Sequence, residues 1–262
     1  MKKTLIALMA LAGVAAGATP IIDATFENNL PEGFNYSNEN GATYVDSGLE
    51  GYGMAIDFDK SGYVSTSTDC TDYTGLTTGS QATDFTIVTT VRFDSWAELS
   101  DGGSVENRLF ICGSGNANDQ GIGWTVANGV MGVTVKDKSH NPISNPAITL
   151  SLDTWYTLAF TYDADTSVAT FYANGSYVGA LTLEAAKTTP GSFNIGGGRV
   201  STRQAAWDGA MADFKVYDTT LSAAEVAAFG APTPATPAIP EPATATLSLL
   251  ALCGLASRRR RK

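Results

Sequence analysis

One histidine and three cysteines in 262 residues leave little from which to build nucleophile or zinc chemistry. His140 stands alone in a KSHNP stretch of loop character, so a His-dependent triad or a zinc site has no second member. No Cys-x-x-Cys pair occurs. Cys253 falls in an apolar run near the C-terminus, which leaves Cys70 and Cys112 as the one pair in the body of the chain, either bridged or buried as two thiols. Charge is also scarce, at 16% of residues, and basic charge scarcer still. The net charge is −10; Lys2, Lys3 and Arg258 to Lys262 supply seven positive charges and Glu241 one negative, so residues 19–239 carry −16. A body that acidic excludes nucleic acid and anionic membrane surfaces as partners and suits neutral glycans, cations or basic partners. GGGRVSTR has glycines but no Gly-Lys-Ser/Thr ending, and no acidic run has EF-hand spacing. What is plentiful is apolar residues, at 44%, and glycine, at 27 residues, enough for a packed core with many turns.

Both ends read as processing segments. MKKTLIALMALAGVAAGATP sets two lysines before the apolar Leu5–Ala16 and the small triplet Ala16-Gly17-Ala18, the order of a secretory signal peptide. Residues 1–18 are therefore expected to be removed by signal peptidase and the mature chain to be exported. At the other end, prolines 232, 234, 237, 240 and 242 alternate with Ala and Thr, so 230–239 reads as an extended linker. Ala243–Ala256 is apolar or small throughout; its fourteen residues make roughly 21 Å of helix, which can reach across a ~30 Å hydrocarbon core by local thinning and arginine snorkelling. The basic end would stay in the cytoplasm. The triplet Pro240-Glu241-Pro242, this short helix and the cluster Arg258, Arg259, Arg260 and Arg261 resemble the PEP-CTERM sorting signal of Gram-negative envelope proteins. The resemblance implies that 240–262 is a sorting and membrane segment recognised by an exosortase-type processing enzyme. The protein would then sit at the cell envelope or outer surface, held transiently or permanently by its C-terminus.

The intervening body has period two. In DFTIVTTVRF, Phe85, Ile87, Thr89, Val91 and Phe93 share one face; WYTLAFTYD puts Tyr156, Leu158, Phe160 and Tyr162 on one face. In GAMADFKVYD the apolar face is Ala210, Ala212, Phe214 and Val216, with Asp213 and Lys215 opposite. These are expected to be half-buried strands. Further strands are expected at 21–27, 52–58, 63–65, 108–112 and 192–195. Asn128-Gly129 and Asn174-Gly175 each separate two strand-like runs and suit type I′ turns. One helix is signalled: in LSAAEVAAF, Ser222 and Glu225 form a capping box. The pattern predicts an all-β antiparallel fold, a β-sandwich or jelly roll, with a short C-terminal helix, plus terminal signal and anchor helices.

DTWYTLAFTYDADTSVATFYANGSYVGAL, FNIGGG and WDGAMADFKVYDTTLSAAEV resemble the laminin-G-like, concanavalin A-like lectin/glucanase family. The shared features are Trp155 before a strand, Tyr162-Asp163 before a turn, the Asn174-Gly175 hairpin, Ile195-Gly196, Gly209 before the last strand and Leu221-Ser222 leading to Glu225. The family more often has Asp-Gly where this chain has Asn174-Gly175. The resemblance implies one jelly-roll domain over 19–229, with Trp155 in its core.

Family members that cut β-glucans carry Glu-x-Asp-x-x-Glu on one strand, which puts alternate carboxylates on one face as nucleophile and general acid. No glutamate here begins that pattern, so the chain reads as non-catalytic and a glycoside hydrolase ranks third. The resemblance also implies a structural calcium ion held by Asp213, with Asp23 as partner, as the one cofactor to expect. Ligand contacts are expected in loops at the sandwich edge, from Trp96, Trp207 and the loop residues Asn116, Asn118 and Asp119, since aromatic faces beside amides and carboxylates suit sugars. The leading reading is a surface-sorted binding or adhesion module for glycan or an extracellular protein. The alternative is a structural envelope or extracellular-matrix component without a discrete ligand.

Overall fold

The apolar–polar alternation becomes strands in a computed structural model that describes residues 18–27, 30, 34–36, 42–59, 64–69, 83–96, 107–112, 122–135, 140–183, 192–197 and 207–236. In chain order the strands begin with β1 (Ile22–Thr25), β2 (Phe34–Tyr36), β3 (Ala42–Leu49), β4 (Tyr52–Asp59), β5 (Val64–Asp69), β6 (Phe85–Phe93), β7 (Asn107–Cys112) and β8 (Ile122–Ala127). They continue with β9 (Val130–Val135), β10 (His140–Pro142), β11 (Trp155–Asp163), β12 (Val168–Ala173), β13 (Ser176–Thr182), β14 (Ser192–Ile195) and β15 (Asp208–Tyr217), and helix α1 (Ala223–Ala227) follows. The first sheet runs β13-β12-β11-β6-β15-β4-β3, with β1 also paired to β15; the second runs β10-β9-β8-β7-β14-β5-β2. Every pairing is antiparallel, and the chain passes from β5 in one sheet to β6 in the other and back to β7, as a jelly-roll sandwich requires.

Aromatic side chains fix one sheet on the other. Phe160 of β11 meets Phe110 of β7 at 5.9 Å and Trp124 of β8 at 5.8 Å between ring centroids, and touches Phe171 of β12 at 5.2 Å. All four rings are fully buried, and such tilted contacts add to the area they remove from water. The two Asn-Gly pairs form the hairpin turns β8–β9 and β12–β13. Both residues of each turn have positive φ: 47° and 80° at Asn128 and Gly129, 51° and 76° at Asn174 and Gly175. Glycine is needed at 129 for a second reason, because a Cβ there would collide with the Leu150 carbonyl oxygen. Asn174 accepts the Thr157 N–H through Oδ1, a bond that fixes the turn to β11.

The alternation misses three strands and misplaces two faces. β2, β3 and β10 carry no clean period-two signal, and His140, read as a loop residue, opens the edge strand β10. The half-buried reading also fails at the centre of the first sheet: β6, β11 and β15 are buried on both faces. Their outer face is closed partly by α1 and the residues leading into it, where Leu221 and Val226 cluster with Val88, Ala159, Tyr172 and Tyr217. In β15 the face assignment reverses part-way. Met211 pairs with Val91 but Asp213 with Thr90, so Ala212 is an extra residue, a β-bulge. Met211, Phe214 and Val216 therefore enter the core, while Ala210 and Ala212 join an outer cluster with Leu49 and Ala55. Trp155 lies in this outer cluster too, half-buried, rather than between the sheets. The Arg92 guanidinium covers it, 5.4 Å from the ring centroid, and is itself held by Asp94 at 2.6 and 2.8 Å.

The start of the proline-rich segment is tied down. Glu50 N–H donates to the Thr233 carbonyl and Ala235 N–H to the Gly48 carbonyl, both at 2.8 Å, which lays the strap on the β3–β4 turn. The expected signal peptide and sorting tail lie outside the described residues, apart from Ala18. Among the described residues, no helix is long and apolar enough to cross a membrane.

Candidate functional site

The candidate residues fall in three places. Trp96 and Trp207 come together at one end of the sandwich. Trp96 is half-buried against Phe93, 5.3 Å between centroids. Trp207 is fully buried between Phe58 at 5.1 Å and Phe93 at 5.8 Å, so its faces serve the core and not a surface. Its indole N–H has no hydrogen-bond partner among the described residues. Beside the pair, the Ser95 hydroxyl donates to the Asp208 carboxylate and Asp94 N–H to the Asp208 carbonyl at 3.0 Å. The segment with Asn116, Asn118 and Asp119 lies outside the described residues. The residues that bracket it, Cys112 and Ile122, pair at the C-terminal end of β7. Within β7 the Leu109 carbonyl receives Gly196 N–H, and Gly196 lies against the Phe58 ring next to Trp207. Cys70, the other cysteine in the body of the chain, is outside the described residues.

The second place is the seam between β1 and β15. Register sets Asp23 opposite Lys215 and Thr25 opposite Asp213. The bulge at Ala212 offsets the ladder so that Thr90 N–H donates to Asp213 Oδ1 at 2.6 Å instead of to a carbonyl. Asp213 Oδ2 accepts from Lys215 Nζ at 2.5 Å and from the Tyr52 hydroxyl at 3.2 Å. Lys215 Nζ also lies 3.5 Å from Asp23 Oδ1. Burial, then the Asp213 charge, push the Tyr52 phenol above its ordinary pKa. Asp23 and Asp213 are thus brought close, as expected of a calcium pair, but the cation between them is the lysine ammonium. A calcium ion takes about six to eight oxygens. Here both Asp213 oxygens already accept hydrogen bonds, and among the described residues no three acidic, His or Cys side chains gather to hold a metal. The residues as arranged do not fit the ion.

The third place was not singled out from the sequence. One position from each strand of the second sheet lines up across it: Asn35, Ser65, Asn194, Ile111, Gly123, Thr134 and His140 are successive cross-strand partners. The chain neighbours Phe34, Val64, Ile195 and Trp124 face the core, so Asn35, Ser65, Asn194 and Gly123 lie on the outer face. Asn35 is exposed, Ser65 and Asn194 are half-buried and Gly123 is buried, the profile of a face that deepens from its edge. No carboxylate occurs in the row. Asn194 had a local signal, lying between two apolar residues in FNIGGG, but its neighbours in the row are far apart in the chain.

A known structure gives the same architecture. Domain 4 of an extracellular GH43 arabinanase from Geobacillus stearothermophilus, solved with arabinotriose, superimposes with a TM-score of 0.59 at 17% identity, over 81% of this chain and 98% of that one. The CBM40 module of the Ruminococcus gnavus IT-sialidase, bound to α2,3-sialyllactose, is similar at a TM-score of 0.46 and 20% identity, over 58% of this chain and 83% of that one. Comparison with curated proteins gives no match. Residues 58–227, well over half of the sequence, match a laminin-G family, and the chain accordingly belongs to the Concanavalin A-like lectin/glucanases superfamily.

Proposed function

We propose that this chain is an exported, non-catalytic carbohydrate-binding module whose ligand lies on the outer face of its second sheet. The polar row across that sheet carries the reading. The amides of Asn35 and Asn194, on the strands either side of β5, offer donors and acceptors on one face of the sheet. The row has no paired carboxylates of the kind glycoside hydrolysis needs, which supports binding without turnover. The charge of −16 over residues 19–239 favours neutral over acidic glycans. The N-terminal signal peptide and the Pro240-Glu241-Pro242 tail with its arginine cluster support export and delivery to the cell surface by signal peptidase and an exosortase-type enzyme.

A glycan array of neutral and acidic oligosaccharides, arabinotriose included, tests the proposal. Neutral glycans should bind and release no new reducing ends. Asn194→Ala should weaken binding more than tenfold while leaving the melting temperature unchanged. An array with no binder would sink the proposal and favour the structural envelope reading.

A further inference from the structure

We propose that the Lys215 ammonium is a built-in cation that holds β1 against β15 in place of a bound divalent ion. Geometry states the case first. Lys215 lies two residues beyond Asp213 on the same face of β15, and register puts Asp23 directly opposite it on β1. Nζ thus touches a carboxylate on its own strand at 2.5 Å and faces one on the neighbouring strand at 3.5 Å.

The charge balance points the same way. The Asp213 side chain is 4% exposed, so water cannot compensate its charge. Thr90 N–H and the Tyr52 hydroxyl give it hydrogen bonds but no counter-charge. The ammonium supplies that counter-charge and reaches on to Asp23, whose side chain is 53% exposed. Burial alone would lower the lysine pKa, but the charge and hydrogen bond of Asp213, with Asp23 behind them, outweigh it and hold Lys215 above its ordinary value. A divalent ion entering the gap would meet this ammonium and the already engaged Asp213 oxygens. A covalently attached cation, unlike a bound one, is not lost to chelation or dilution.

Thermal unfolding of the purified full-length protein in EDTA and in about 1–10 mM calcium, the weaker end of the range for extracellular calcium sites, tests the proposal. The wild-type midpoint should be the same in both. Lys215→Ala should unfold about 5 °C or more below wild type in EDTA. Calcium should recover part of that loss, and the recovery should vanish in Asp23→Asn/Lys215→Ala. The proposal is overturned by any of three results: an unchanged midpoint for Lys215→Ala in EDTA, no recovery with calcium, or a calcium stabilisation of wild type that Asp23→Asn removes. A wild-type stabilisation that survives Asp23→Asn arises elsewhere, and the Lys215→Ala arms then decide. If Lys215→Ala does not fold, Lys215→Met keeps the aliphatic stem and takes its place. If neither folds, the wild-type and Asp23→Asn comparison decides alone.

Discussion

The outer faces of the two sheets have opposite characters. That of the first is closed: α1 covers Val88 and Ala159, Arg92 covers Trp155, and the Asp213–Lys215 pair fills the seam beside β1. That of the second opens towards one edge: Gly123 and Thr125 of β8 are buried, Asn194 is half-buried and Asn35 is exposed. A jelly roll needs only its two inner faces to make a core, so the outer faces are free to diverge. Here one adds stability, and the other presents the amides of Asn35 and Asn194 where the proposed ligand would bind.

Trp207→Ala should have the largest effect on this division, because it empties the space between Phe58 and Phe93 where the sheets meet. A loss of about 3–5 kcal/mol is expected in urea unfolding. Leu221→Ala, on the closed outer face, should cost about 2–3 kcal/mol, while Asn35→Ala on the other face should stay within about 0.5 kcal/mol. Equal losses at these two positions would erase the contrast. The smallest effect is invisible at neutral pH. Tyr52, Tyr217 and Lys215, all on the closed face, bind their protons more tightly in the folded state than at their ordinary values of 10.0, 10.0 and 10.5. Above about pH 10 the unfolded chain therefore releases protons that the folded chain retains, and stability falls as pH rises. A denaturation series from pH 8 to 11 should show this fall, with a shallower slope in Lys215→Met.

What the sequence revealed follows from where the information lies. β6 and β11 announce themselves by alternation, the hairpins by Asn-Gly and α1 by its Ser222–Glu225 box, because each signal sits within a few residues. β3 hides because its sequence ATYVDSGL mixes Asp46, Ser47 and Gly48 into a strand whose Ser47 is buried against the Tyr52 carbonyl. The bulge hides because alanine is at home on either face, so Ala210 and Ala212 could not say which way they point. The rim tryptophans were visible as residue types but not as environments: nothing local distinguishes half-buried Trp96 from sealed Trp207. The polar row was the least legible, since its positions, from 35 to 194 in the chain, become neighbours only through the register of seven strands.

The strap at residues 231–236 also decides how the molecule answers to force. A pull on the C-terminal tail reaches the Ala235–Gly48 hydrogen bond first and the Thr233–Glu50 bond next, so load would peel them one after the other rather than shear them together. Two such bonds in series yield easily, and their release lengthens the connection without disturbing the sheets. From Ala235 to Pro240 the chain adds about 17 Å at most when stretched, and peeling back to Gly230 roughly doubles that reach. The strap would act as a shock absorber ahead of the fold, paying out its slack before tension arrives at α1.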